Sequence, residues 1–268
     1  MITRRAFIRT IGRGSAAVAL VGVAACTSEE PAGTTVAGEP ATTASPAVST
    51  STSSGPTTTS TSGAAATTAP ATSAGMWSRV SFGFVSAYVL VRNGEAALVD
   101  TGTSGSSSQV ESTLDGLGLG WSDLGTILLT HHHGDHIGSL PEIMGEAVGA
   151  TAYAGAEDIP NIPSPRPISA VADGDTVFGL QVVATPGHTP GHISILDPSG
   201  STLIAGDAMV GGNGGVAGPS EQFTADMQTA NASVVRLAGL DFEVVYFGHG
   251  EPVTSGASTQ VAELASGL

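Results

Sequence analysis

From residue 88 onward, short apolar runs alternate with polar or glycine-bearing breaks, and their length predicts strands more often than helices. Runs at 88–91 and 96–99 flank Asn93-Gly94, a dipeptide suited to a tight hairpin turn. The β-branched, apolar run 126–130 reads as a strand that leads directly into a group of histidines. Further strands are predicted at 151–154, 176–178, 180–184, 193–196, 202–205 and 244–247. Helices are predicted at 109–117, 137–144 and 258–264. A longer one is predicted at 220–237, where Phe223, Met227, Val234 and Leu237 recur at helical spacing. Strands in this number with helices between them define an α/β layered domain.

The pattern stops short of the N-terminal third. Residues 26–75 are dominated by Ser, Thr, Ala and Pro with no aromatic residue, so they cannot bury enough apolar surface to offset the entropy of ordering. They read as a disordered linker, and residues 76–268 as the one folded domain. Residues 1–25 have the layout of a signal peptide: arginines at 4, 5 and 9, then the apolar run 16–25, which is short for a bilayer span. Arg4-Arg5 followed by Ala-Phe-Ile resembles a twin-arginine export signal, and Val23-Ala24-Ala25-Cys26 resembles a lipobox. Cys26, the only cysteine, is then the lipidation site. The expected protein is exported and lipid-anchored on the outer face of the bacterial cytoplasmic membrane, touching the membrane only through that anchor.

Charge narrows the partners. The chain has no lysine, and only Arg79, Arg92, Arg166 and Arg236 fall within 76–268, against twenty acidic residues there. A nucleic-acid surface needs clustered cations, so a small-molecule substrate is expected instead. The sequence says nothing of oligomeric state.

Candidate chemistry gathers at strand ends. His131, His132, His133 and His136 fall within six residues, beside Asp135, directly after the 126–130 strand. In an extended segment His131 and His133 project to one side and His132 to the other. Gly134 is expected to bend the backbone so that Asp135 and His136 converge on the same space. His188, Asp207 and His249 each follow an apolar strand and a small residue. Imidazole and carboxylate are the donors Zn²⁺ accepts, and seven such ligands suit two metals sharing one carboxylate.

The run Thr130-His131-His132-His133-Gly134-Asp135-His136 resembles the His-x-His-x-Asp-His signature of the metallo-β-lactamase superfamily. The strings around Asp100, His188 and His249, and the separations between these ligands, are similar as well. The resemblance implies a four-layer αβ/βα sandwich with a metal pair at one edge. It assigns His131, His133 and His188 to one zinc and Asp135, His136 and His249 to a second, with Asp207 bridging. Iron or manganese are alternatives to the two Zn²⁺. Asp100 matches a buried aspartate that orients a ligand histidine from behind, and Asp135 doubles as the catalytic proton acceptor or relay. His192 is expected to make a structural hydrogen bond.

The implied reaction is hydrolysis of an activated acyl bond such as a thioester, lactone or related ester. Asp207 favours the glyoxalase-II-like branch, since zinc β-lactamases place another residue at the bridging position. Only nineteen residues follow His249, fewer than that branch's glutathione-holding helical segment requires, and no lysine stands ready for a polyanionic thiol conjugate. The alternatives are a mononuclear iron oxygenase resembling the persulfide dioxygenases, and a non-enzymatic metal-binding surface lipoprotein.

Overall fold

Alternation along the central strands sorts the core into three apolar layers. The computed structural model describes residues 75–268. In it, β2 (Ser86–Arg92), β3 (Glu95–Val99) and β4 (Leu124–Leu129) lie side by side. Successive side chains point to opposite faces, as strand geometry requires. Val89, Leu98, Ile127 and Leu129 therefore fall on one face, while Leu90, Val99 and Leu128 fall on the other. The first face packs on Val110 and Leu114 of α1 (Ser107–Gly116) and on Leu140 and Ile143 of α3 (Leu140–Glu146). The second meets Leu180, Val182, Ile193, Ile195 and Ile204 of another sheet.

That second sheet sorts its side chains the same way. β8 (Leu180–Ala184), β9 (Ile193–Asp197) and β10 (Thr202–Ile204) send Val183, Leu196 and Leu203 outward. There they pack on Val234 and Leu237 of α4 (Met227–Leu237) and on Val261 of α5 (Ala257–Ala265). The order helix, sheet, sheet, helix is the expected four-layer sandwich.

The first sheet follows chain order from β1 (Met76–Ser81) through β2, β3, β4 and β5 (Thr151–Gly155) to β6 (Ser169–Val171). The second runs β13 (Val244–Tyr246), β10, β9, β8, β7 (Thr176–Val177). The β2–β3 turn is the predicted hairpin, with Asn93 and Gly94 both at positive φ, 54° and 84°.

Two predicted helices are corrected. The 220–237 helix begins only at Met227, because the preceding segment is held elsewhere: Ala225 and Asp226 donate their N–H groups to the carbonyls of His188 and Gly187. Asp226 then caps the helix, accepting from Thr229 N at 3.1 Å. The 137–144 helix is two pieces, α2 (Gly134–Ile137) and α3, broken where Ser139 Oγ donates to Thr103 O and accepts from Ser106 N. The glycine-rich 211–220 stretch starts as a ribbon, β11 (Val210–Gly212) paired with β12 (Gly215–Ala217).

The signal peptide at 1–25, the lipidation site Cys26 and all of the 26–75 linker but Gly75 lie outside the described residues. Among the described residues, no helix is long and apolar enough to cross a membrane.

Candidate metal centre

The strand β4 ends at Leu129, and the next seven residues supply four of the seven converging side chains. His133 occupies the N-cap of α2, and Asp135 and His136 lie in its single turn. Gly134 is not among the residues at positive φ, so the bend comes from the helix start and not from glycine's left-handed freedom. From the other half, His188 follows β8, Asp207 follows β10 and His249 follows β13. Their side chains meet those of the 131–136 turn.

Three clusters have all donor atoms within 4.8 Å of one another: His131, His133 and His188; Asp135, His136 and His249; and His131, His136 and Asp207. In the first, His133 Nδ1 stands 3.0 Å from His131 Nε2 and 2.9 Å from His188 Nε2. In the second, His249 Nε2 is 3.3 Å from Asp135 Oδ2 and 3.4 Å from His136 Nε2. Asp207 reaches both, with Oδ2 3.6 Å from His188 Nε2 and 3.3 Å from His249 Nε2, and Oδ1 3.4 Å from His136 Nε2.

Hydrogen bonds on the far side of four of the rings fix which nitrogen faces the centre. His136 Nδ1 lies 2.9 Å from Asp100 Oδ2, and His249 Nδ1 lies 2.8 Å from Phe84 O. Each acceptor takes the Nδ1 proton, leaving Nε2 directed inward. The Thr130 hydroxyl lies 2.8 Å from Asp100 Oδ2 and donates to it, so it accepts from His131 Nδ1 at 3.0 Å. His188 Nδ1 meets Thr224 Oγ1 at 3.2 Å. Asp100 also accepts from Thr130 N at 2.8 Å, and it sits at φ 62°, a backbone state uncommon for a residue other than glycine. Strain of that kind persists where surrounding contacts over-determine it. Here the carboxylate ties the whole 130–136 turn.

His192 lies behind the site, not in it. Its Nε2 accepts from the Asp207 N–H at 3.0 Å, and its Nδ1 meets Thr185 Oγ1 at 2.8 Å. Burial pushes its imidazole down to about 3, so it stays neutral and able to accept. His132 points away from the centre, its ring Nδ1 lying 3.1 Å from Asp158 Oδ2, and its backbone N–H donates to that same oxygen at 3.0 Å. Asp158 was not singled out from sequence. It is fully buried and also accepts from Thr189 Oγ1 at 2.6 Å and Gly191 N at 2.8 Å. One carboxylate thus pins the turns carrying His131–His136 and His188 to each other. Its only sequence signal is an aspartate in an otherwise apolar-to-turn segment, which is shared by many surface residues.

Electrostatics divide the donors. Burial holds His131 well below the ordinary imidazole value, lowers His133, and takes His188 to about 4. All three keep lone pairs at neutral pH, the state a metal requires. Burial opposes the charge on Asp207, but the neighbouring imidazoles outweigh it and hold the carboxyl well below its usual range. Hydrogen bonding to His249 lowers Asp135 as well, and the same bond together with Asp207 raises His249 to about 10.

The donor set fits metal ions on two observations. Asp207 Oδ1 is buried and accepts no hydrogen bond, a costly state for a carboxylate oxygen without a cation. Gly248 leaves a gap beside it: a Cβ there would collide with Asp207 Oδ1 and the His136 ring. The cluster opens into a cleft of about 640 Å³, whose lining includes Phe84, Asp135, Val210 and Phe223.

Fold and site together define a metal-binding α/β sandwich, and comparison with known proteins gives the family. Residues 80–249 match the profile of the metallo-beta-lactamase superfamily, to which the chain belongs. It is 32% identical to "Probable metallo-hydrolase YflN" of Bacillus subtilis, across 54% of this chain and 72% of that one. It is 35% identical to a hydroxyacylglutathione hydrolase of Fuscovulum blasticum, across 59% of this chain but only 58% of the hydrolase. Among solved structures, TTHA1623 in a di-iron-bound form superposes with a TM-score of 0.56 at 30% identity, covering 66% of this chain and 93% of that one. The chain is therefore a member of a metallo-hydrolase superfamily that carries His/Asp groups able to bind metal.

Proposed function

We propose that the protein is a two-metal hydrolase of carboxylic acyl bonds, acting on a thioester, lactone or related ester. The observation that carries this reading is Asp207, whose buried carboxylate reaches donors of both ligand triads while one oxygen goes without a hydrogen bond. His131, His133 and His188 would hold one ion and Asp135, His136 and His249 the other, with Asp207 shared between them. Two Zn²⁺ suit this mixed imidazole and carboxylate set, and iron or manganese would be accepted by the same donors. The di-iron form of TTHA1623 supports keeping iron as an alternative. When bound, such a pair supplies a water of lowered pKa and a Lewis acid for the substrate carbonyl.

The chain's own groups do the rest. Asp100, Thr130 and the Phe84 carbonyl orient three of the rings, so no side-chain reorganisation is needed when substrate arrives. Asp135 is partly exposed at the cleft, and its low pKa keeps it ionised at neutral pH. It is placed to take a proton from water and pass it to the leaving group. Overall, one water is consumed: its oxygen bonds to the acyl carbon, the bond to the leaving sulfur or oxygen breaks, and the proton goes to that leaving atom.

Metal content per chain, measured together with hydrolysis of a thioester and lactone panel, tests the reading. About two ions per chain and hydrolysis abolished in Asp207→Ala are expected. A single iron per chain with persulfide-dependent oxygen uptake would overturn it in favour of an oxygenase.

A further inference from the structure

The walls of the cleft say more about the substrate than its floor does. Phe84, in the turn between β1 and β2, and Phe223, in the turn before α4, both line it. Each is a large apolar side chain left open to solvent, 65% and 61% exposed. Four other large apolar residues among those described are exposed, at 51% to 76%, and none of them lines this cleft. Val210 adds a third apolar wall. The Phe84 ring lies nearly parallel to His249, 12° apart with centroids 6.0 Å from one another. Its backbone carbonyl accepts from that same histidine. An exposed ring held alongside a candidate metal ligand is a surface waiting for an apolar group beside the reacting carbonyl.

No lysine or arginine lines the cleft. The chain has no lysine, and all four arginines of the described residues are committed elsewhere. Arg79 binds Glu251 and the Gly250 carbonyl, Arg92 binds Asp197, Arg166 binds carbonyls of 147, 148 and 150, and Arg236 binds Asp173. With a formal charge of −15, the chain also repels anions at a distance.

Resting on the hydrolase reading above, we propose that the preferred substrate is an uncharged ester or thioester whose acyl group carries an aromatic or bulky apolar substituent. Phe84 and Phe223 grip that substituent, and polyanionic thiol conjugates such as glutathione or coenzyme A thioesters are rejected. The hydroxyacylglutathione hydrolases that the chain resembles are thus relatives in sequence and not in substrate.

Two measurements on the metal-loaded full chain test this and keep it separable from the hydrolase reading. The first compares kcat/KM for phenylacetyl thioesters of N-acetylcysteamine, which is uncharged, and of glutathione. A preference of about 100-fold for the uncharged thiol is expected, and equal or faster cleavage of the glutathione thioester overturns the proposal. The second uses phenylacetamide, an uncharged probe, and reads saturation transfer from protein to its ring protons by NMR, which needs no turnover. Transfer is expected in the parent protein and should fall several-fold in Phe84→Ala and Phe223→Ala, with KM for the phenylacetyl ester rising about tenfold. Phe84→Ala keeps the carbonyl that orients His249, so metal content should hold, which separates loss of the ring from damage to the site. Ring-dependent probe binding without hydrolysis of any ester would sink the hydrolase reading and leave the aromatic grip standing. Hydrolysis with unchanged probe binding in both variants would do the reverse.

Discussion

The two ends of the sandwich both bury charge, and they handle it in opposite ways. β2 begins beside the candidate metal centre, where Ser86 N–H donates to Gly248 O, and ends about 20 Å away at Arg92. At that far end Arg92 of the first sheet pairs with Asp197 of the second, both buried. Asp197 also accepts from Trp77 Nε1 at 2.9 Å, Ser199 Oγ at 2.8 Å and Gly200 N at 3.1 Å. Arg92 donates to Phe178 O and Ser199 Oγ, and only its Nε goes without a partner. This end is a structural clasp whose carboxylate is fully satisfied by the protein. At the other end, imidazole nitrogens face one another and a carboxylate oxygen accepts nothing. A buried polar cluster left incomplete by the chain is one built to be completed by something that binds.

Breaking the clasp should give the largest loss of stability. Asp197→Ala leaves a guanidinium buried without its counter-charge, which costs about 3–5 kcal/mol. Denaturant unfolding should register that loss whether or not metal has been removed by a chelator. If the loss appears only in metal-free protein, the two ends are coupled and the contrast fails.

Breaking the other end should remove activity more than structure. Asp207→Ala takes away the one group shared by both triads, and a rate loss beyond roughly 100-fold is expected, more than an outer-shell partner usually carries. Added metal should raise the melting temperature of the parent protein by linkage, by an amount equivalent to about 4 kcal/mol at a thousandfold excess over Kd. Calorimetry should show most of that gain missing in the variant, and a full gain would mean that Asp207 is no ligand.

The next effect is smaller and lies one layer out. Asp100→Ala frees His136 to rotate and releases the Thr130 turn, which should weaken metal binding about 10–100-fold in a chelator competition. Asp158→Ala should weaken it too, by loosening the 131–136 and 188 turns against each other. Equal affinity in both variants would show that the turns hold themselves.

How much of this could be read beforehand follows the same division between local and assembled features. The 131–136 donors and the Asn93-Gly94 hairpin are written in consecutive residues, so spacing alone exposes them. His188, Asp207 and His249 were legible because each closes an apolar strand, although the meeting of those strand ends is a property of the whole sandwich. Asp158 and Phe84 were missed, since neither lies in a motif and each acts across more than twenty residues of chain. The ring of Phe84 and its carbonyl serve the site from a hairpin turn that no periodicity marks. The helix at 220–237 was overextended for a related reason: Phe223 keeps helical spacing with Met227, yet tertiary hydrogen bonds from Ala225 and Asp226 to the 187–188 turn hold that segment open and send Phe223 into the cleft. The short strand β6, with two of its three residues exposed, carries too few apolar positions to announce itself.

The smallest expected effect is a change of shape with pH, and it distinguishes the clasp from every other carboxylate at once. Burial would raise the Asp197 carboxyl, but hydrogen bonds from Ser199, Trp77 and Gly200 and the charge of Arg92 outweigh it and hold it below the ordinary value of 3.8. Because the folded value is the lower one, the unfolded chain takes up the proton first as pH falls. The stability owed to Asp197 is therefore complete above the unfolded value and drains away as pH drops below about 4. Asp197→Asn has no proton to bind there, so the difference in unfolding free energy between parent and variant should narrow from pH 6 to pH 3. Titrations of all other groups are common to both proteins and cancel in that difference. A gap that stays constant across the range would mean that Asp197 is worth the same charged or neutral, and the clasp would then be held by its hydrogen bonds and not by its charge.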